Sequence, residues 1–190
     1  MRQSTFDDLN RVVARSGPAG DGVGTEQQLS HASYDPNLRT VTITDASLQS
    51  VATTNDALGR AISTVVRDAQ SNIVQETYFD YSTDHHSVTR TEGSGADAIQ
   101  VTTWTNTQGQ PVLIQHHLDT GGYDFERLAY DLSGNQTMTV DALGYQTERI
   151  YDGLNRMVAN TRPDGATTEF RYIDQGEVLQ REAKKGVMSL

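Results

Sequence analysis

The stretch from Tyr130 to Gly176 reads YDLSGNQTMTVDALGYQTERIYDGLNRMVANTRPDGATTEFRYIDQG, and one short unit punctuates it throughout. The copies are Tyr130-Asp131-Leu132-Ser133-Gly134, Val140-Asp141-Ala142-Leu143-Gly144, Tyr151-Asp152-Gly153-Leu154-Asn155, Pro163-Asp164-Gly165 and Tyr172-Ile173-Asp174-Gln175-Gly176. Their aspartates, at 131, 141, 152, 164 and 174, step by 10, 11, 12 and 10 residues. Asp at the first corner of a type I turn can accept hydrogen bonds from its own downstream backbone, and Gly three residues on tolerates a left-handed conformation. Asn, the next best residue for positive φ, stands in that place at Asn155 and Asn10. Such a turn joins adjacent antiparallel strands.

The same metre appears earlier, at Asp35, Asp45, Asp56 and Asp68, with Asn55-Asp56-Ala57-Leu58-Gly59-Arg60 the best-formed copy. A step of this length leaves roughly 6–8 residues per strand, the usual strand length, and no room for crossover helices. Between turns the residues alternate as half-buried strands do, as in Thr40-Val41-Thr42-Ile43-Thr44 and Ile99-Gln100-Val101-Thr102-Thr103-Trp104. The expected fold is therefore all-β, a curved antiparallel sheet of short hairpins, because a wide open sheet twists and curls. Three Gly-rich segments, 16–24, 92–97 and 119–124, break the metre and read as longer loops, and the repeat is divergent over 80–125. Residues 1–179 form the sheet region; the tail 180–190, Gln180-Arg181-Glu182-Ala183-Lys184-Lys185-Gly186 and beyond, shows no alternation and is expected to be frayed or a short helix.

Composition narrows the function. Fifteen Lys and Arg against 25 Asp and Glu give 190 residues a formal charge of −10, which argues against nucleic acid as a partner. The apolar fraction is 35%, below the roughly 45–50% of an ordinary globular domain, so a thick two-sided core is not expected. No apolar run approaches the roughly 18 residues of a membrane span. The start, MRQSTFDDLN, shows no apolar signal-peptide region. With no cysteine, disulfides, thiolate metal sites and Cys nucleophiles drop out together.

Tyr-Asp-x-x-Gly-Asn/Arg, followed by strand residues and a second Asp-x-x-Gly about ten positions later, resembles the YD repeat of Rhs proteins. Tyr130 to Asp174 carries the resemblance best, Asn55 to Arg60 is another good copy, and weaker copies extend it over most of the chain. The resemblance implies a long β-strip that spirals into a hollow shell around a toxic C-terminal polypeptide, as in Rhs toxins, teneurin-like proteins and the B and C components of Tc toxin complexes. It implies a bacterial origin, a secreted or cell-surface location, and further YD-repeat segments and a toxic effector as partners. The Asp-Pro-x-Gly-Leu segment where such proteins cut themselves is absent, since the one Asp-Pro here is Asp35-Pro36 followed by Asn37. No autoproteolytic residue is carried over.

No catalytic, cofactor or metal residue emerges. His85-His86 and His116-His117 lie near Asp84 and Asp119, but neighbouring strand residues face opposite ways, so only Asp84 with His86, or His117 with Asp119, share a face. The Asp turns each offer one carboxylate and lack the calcium-loop pattern. Gly20-x-Gly22-x-Gly24 lacks the strand, helix and Lys-Ser/Thr context of a phosphate loop, and Glu92-Gly93-Ser94-Gly95 misses the nucleophile-elbow frame. The residues that matter are structural: Asp56, Gly59, Asp131, Gly134, Asp141, Gly144, Asp152, Asn155, Asp164 and Gly165. Tyr130, Tyr151 and Tyr172 recur at an interval of 21, as a two-strand unit gives if each ring covers its neighbour's turn. The expected role is a non-enzymatic segment of a β-shell enclosing a toxic polypeptide. The alternatives are a glycan- or receptor-binding module using Trp104 and exposed tyrosines, and a truncated repeat remnant without independent function.

Overall fold

A computed structural model describes residues 2–17 and 29–173 and, for the backbone alone, 18, 26–28 and 178–184. Among these the chain is all-β, with sixteen strands and one turn of 3-10 helix, Gly95–Asp97. The strands are β1 (Gln3–Phe6), β2 (Val12–Pro18), β3 (Glu26–Asp35), β4 (Thr40–Asp45), β5 (Ser50–Asn55), β6 (Ala61–Arg67), β7 (Ile73–Tyr81) and β8 (Ser87–Glu92). They continue with β9 (Ile99–Thr105), β10 (Pro111–His117), β11 (Tyr123–Tyr130), β12 (Gln136–Val140), β13 (Gln146–Tyr151), β14 (Met157–Thr161), β15 (Thr167–Tyr172) and β16 (Val178–Lys184). Two compact units result, Met1–Tyr81 with Thr89–Gln100, and Ser82–Val88 with Val101–Leu190.

In the first unit β1 to β7 pair in chain order, every pair antiparallel. In the second, β9 to β16 do the same. Registers set the faces. Ala32, Ile43, Val51 and Val66 stand opposite one another across β3 to β6, while Ser33, Thr42, Ala52 and Val65 form the adjacent row on the other face. Thr40 and Thr54 close their cross-strand pair with a 2.8 Å hydroxyl contact.

No apolar side chain among the described residues is fully buried; the buried polar ones are Thr77 and Thr102. This follows from the 35% apolar content, since each face of a strand covers only its neighbours. Cohesion must therefore come from the backbone ladder, cross-strand pairs and whatever joins one hairpin to the next.

Three expectations need correction. Residues 180–184, expected to be frayed or helical, lie in β16, where Gln180 to Lys184 pair with Arg171 to Thr167 of β15. An edge strand forms through backbone hydrogen bonds and needs no apolar alternation. Ser16, Gly17 and Pro18, expected in a loop, end β2 against Gln28 to Glu26; the remainder of that loop, 19–24, lies outside the described residues. Residues 119–124 form no long loop: Leu118 N–H donates to Gly122 O at 3.0 Å and Gly121 N–H to Leu118 O at 2.9 Å, the tight turn of the regular repeat. The 92–97 segment is a longer connection, carrying the 3-10 turn.

Candidate functional site

The turns are the most elaborated chemistry in the chain. At 56–60 the Asp56 N–H donates to Arg60 O (2.8 Å) and the Gly59 N–H to Asp56 O (3.1 Å), closing a tight reversal. Asp56 Oδ1 accepts the Leu58 and Arg60 N–H groups, both at 2.9 Å, and Oδ2 accepts Arg60 Nε at 2.7 Å. Gly59 carries φ +80°, the left-handed geometry that closes the turn. The carboxylate thus satisfies two backbone donors and one guanidinium in five residues, which is why Asp recurs there.

The double backbone acceptance at Oδ1 repeats at Asp7, Asp45 and Asp68, and at Asn106, Asp131, Asp141 and Asp152. Gly134 (φ +88°), Gly144 (φ +83°) and Asn155 (φ +61°) hold the left-handed place three residues on. Leu48, Ser71 and His85 hold it as well, with φ of +64°, +69° and +59°, so this place is not confined to Gly and Asn.

Asp164 is placed differently. Arg162 N–H donates to Ala166 O and Gly165 N–H to Arg162 O, both at 2.9 Å, so Arg162 is the corner and Asp164 sits two residues into the turn. Asp164 Oδ1 accepts the Ala166 N–H at 3.0 Å, and Gly165 keeps the left-handed place at φ +75°. Asp174 lies outside the described residues.

A second layer of contacts joins some turns to the strand beyond. Arg11, Arg60 and Arg156, each four residues after the corner, grip Asp7, Asp56 and Asp152 through Nε or Nη2 at 2.6 to 2.8 Å. Their guanidinium carbons lie 4.1, 4.1 and 4.6 Å from the ring centroids of Tyr34, Tyr81 and Tyr172. The same three hydroxyls donate to the carbonyl one residue past the arginine: Tyr34 to Val12 O (2.9 Å), Tyr81 to Ala61 O (3.0 Å) and Tyr172 to Met157 O (2.6 Å). Asn135 replaces Arg at 131–135, binding Asp131 Oδ2 at 2.9 Å, and the Tyr151 hydroxyl donates to Gln136 O at 3.2 Å. Each ring lies at the end of the strand after the hairpin whose turn it covers. Neighbouring turns also touch, through Gln110 Nε2 to Gly134 O and Asn135 Nδ2 to Asn155 Oδ1.

Electrostatics follow from these contacts. The side chains of Arg11 and Arg156 hold the carboxyls of Asp7 and Asp152 below the ordinary carboxylate range. Asn72 and Asn135 do so for Asp68 and Asp131. At Asp56, partial burial is the largest influence and pushes upward, but the Arg60 amide, the Arg60 guanidinium and the Leu58 amide together outweigh it and the net shift is down.

The other candidates stay apart. His86 Nδ1 lies 3.9 Å from Asp84 Oδ2, and His117 Nε2 is 3.0 Å from Thr102 Oγ1 with its ring edge-on to Tyr123. Among the described residues no three His, Asp or Glu side chains converge. Trp104 is half-buried opposite Leu113 of β10, whereas Tyr123 is exposed. Ser94 precedes the 3-10 turn. Sequence reasoning carried Asn/Arg at the fifth turn position as part of the repeat motif but missed the grip of that arginine on the corner aspartate, and it missed Tyr34 and Tyr81 altogether; the signal was the Asp-to-Arg spacing of four at 7, 56 and 152.

Solved structures share this architecture. The Photorhabdus luminescens Tc holotoxin pore, in a form with mutated TccC3, matches with a TM-score of 0.53 at 12% identity over 98% of this chain and 12% of that chain. The TcdB2-TccC3-Cdc42 structure matches with a TM-score of 0.54 at 12% identity over 95% of this chain and 12% of that chain. No family model and no curated protein matches the sequence. This chain thus spans about an eighth of the length of those two chains, covering 12% of each. Its all-β antiparallel fold is similar to that of a segment of these Tc toxin structures.

Proposed function

We propose that the chain is a wall segment of a YD-repeat shell that encloses and helps deliver a toxic polypeptide, and that it is not an enzyme. The observation that carries this reading is the use of its chemistry-bearing side chains inside its own turns. Asp7, Asp56 and Asp152, with their arginines and tyrosines, are spent on joining hairpins, and no apolar side chain among the described residues is fully buried. Such a construction makes surface rather than an interior. Across β4 and β5 one face carries the Thr40–Thr54, Thr42–Ala52 and Thr44–Ser50 pairs while the other carries Val41–Thr53 and the exposed Ile43–Val51 pair, so it is the polar face, in a chain of formal charge −10, that would give an unfolded cargo little apolar area to adhere to. The similarity to Tc toxin structures supports the same reading at the level of fold.

The test places a protease-sensitive reporter at the end of the complete reading frame that carries this chain and follows its digestion by trypsin. The reading predicts a protected reporter in the parent and an exposed one when Arg60 and Tyr81, or Arg156 and Tyr172, are changed to alanine. A reporter cut equally fast in parent and variants contradicts it.

A further inference from the structure

Inside the first unit, β7 and the connection that leaves β8 do not end together. The Gly93 N–H donates to Glu76 O at 2.9 Å, and beyond that contact the chain turns away through Gly95–Asp97 to enter β9 at Ile99. Ile73, Val74 and Gln75 therefore run on past the connection, and among the described residues no backbone hydrogen bond joins them to it. On the other side of β7 the register with β6 slips between Val66 and Arg67, so Val74 is an extra residue with no opposite number. A bulge of this kind re-aims a side chain and interrupts pairing.

The interruption is a groove of about 490 Å3, within the roughly 300–1,000 Å3 of ligand sites. Its aliphatic lining is Ile73, Val74 and Ile99, which are 51%, 66% and 59% exposed. Its charged lining is Glu76, Glu92 and Asp97, with no Lys, Arg or His among the lining residues. Glu92 meets Arg90, whereas Asp97 has no side-chain partner among the described residues. Glu76 Oε2 accepts the Tyr78 hydroxyl at 3.0 Å, and this bond, with the Glu76 charge behind it, pushes that hydroxyl above its ordinary range. The lining thus selects its occupant by charge. An acidic segment would be repelled, and a purely apolar one would strip water from the carboxylates without replacing it.

We propose that this groove is a docking site for an extended segment of a partner polypeptide in which an aliphatic residue is flanked by lysine or arginine. The aliphatic side chain covers Ile73, Val74 and Ile99, and the flanking cations meet Glu76 and Asp97. Because these charges stand at the surface, the attraction weakens as salt rises. The site goes beyond the wall reading, since it needs neither an enclosed cargo nor a neighbouring repeat.

The probe is the end-blocked hexapeptide Gly-Lys-Val-Arg-Val-Gly, titrated into the isotopically labelled full chain while amide resonances are followed. Two control peptides accompany it, one with Glu in place of both cations and one with Ser in place of both valines. The expected result is perturbation of residues 73–76 and 93–99 by the basic aliphatic peptide, weakening with added salt, and little response to either control. Affinity should fall about tenfold in a chain carrying Glu76→Gln and Asp97→Asn, and severalfold in Val74→Ser, a substitution at an exposed bulge that leaves the ladder in place. No perturbation at millimolar peptide, an equal response to the acidic control, indifference to both sets of substitutions, or shifts that follow the concentration of the chain itself in place of the peptide would each overturn it.

Discussion

Within each unit, successive turns fall alternately at the two ends of the strands, and the two ends are built differently. At one end of the first unit 7–11 and 56–60, and at one end of the second 152–156, carry Arg at the fifth position and a tyrosine from the strand beyond. At the opposite end within each unit, 45–49 and 68–72 in the first and 141–145 in the second have the same aspartate accepting the same two backbone amides, with Gln49, Asn72 and Tyr145 in the fifth place. Asp alone is therefore enough to reverse the chain. The Arg–Tyr pair does something else: it ties a hairpin to the strand that follows, across three strands at once. A sheet with no fully buried apolar side chain among the described residues needs such ties, and placing them at one end leaves the other end as plain reversals.

The largest expected contrast is between the two ends. Tyr81→Ala or Tyr172→Ala removes ring burial, the cation–π contact and a hydroxyl bond, and should lower stability by about 2–3 kcal/mol in urea unfolding. Tyr145→Ala, at an exposed position of the unclamped end, should cost less than about 0.5 kcal/mol. Equal losses would erase the distinction. Corner geometry, by contrast, should matter equally at both ends. Gly59→Ala and Gly144→Ala meet no atom within 4 Å, so each should cost the left-handed backbone penalty alone, about 1–2 kcal/mol, while Leu48→Gly should gain about 1 kcal/mol.

A finer cut is Tyr172→Phe, which keeps the ring and removes only the 2.6 Å bond to Met157 O; a loss of about 1 kcal/mol is expected, against none for Tyr145→Phe. The smallest effect is that of pH. Asp7, Asp56, Asp68, Asp131 and Asp152 have carboxyls lowered in the fold relative to the unfolded chain. Their contribution is complete above the unfolded value of about 3.9 and fades as pH falls through the lower folded values. The urea midpoint should stay flat from pH 7 to about 5 and decline below about 4. A decline already between pH 7 and 5 would contradict the assignment to these carboxylates.

The reversals were legible because Asp and Gly answer a local backbone demand. Asp131, Asp141 and Asp152 sit at hairpin corners, with Gly134, Gly144 and Asn155 in left-handed geometry. Pro163-Asp164-Gly165 misled because the aspartate was taken as the marker when the glycine was; counting three back from Gly165 gives Arg162, the true corner. Leu118 escaped notice for the same reason, since its turn is fixed by Gly121 and has no aspartate corner. The β16 strand could not be read because its partner, β15, supplies the order through backbone pairing. The interval of 21 did place Tyr151 and Tyr172 over neighbouring turns, but the arginine beneath the ring is a tertiary contact that no local rule announces.

A double-mutant cycle on Arg60→Met and Tyr81→Leu, measured by urea unfolding of the full chain, probes the tie between hairpins without touching the aspartate. A coupling of about 0.5–2 kcal/mol is predicted, with Gln49→Ala and Tyr81→Leu additive to within about 0.5 kcal/mol. Additivity in the first pair would mean that the hairpins stand side by side without being clamped.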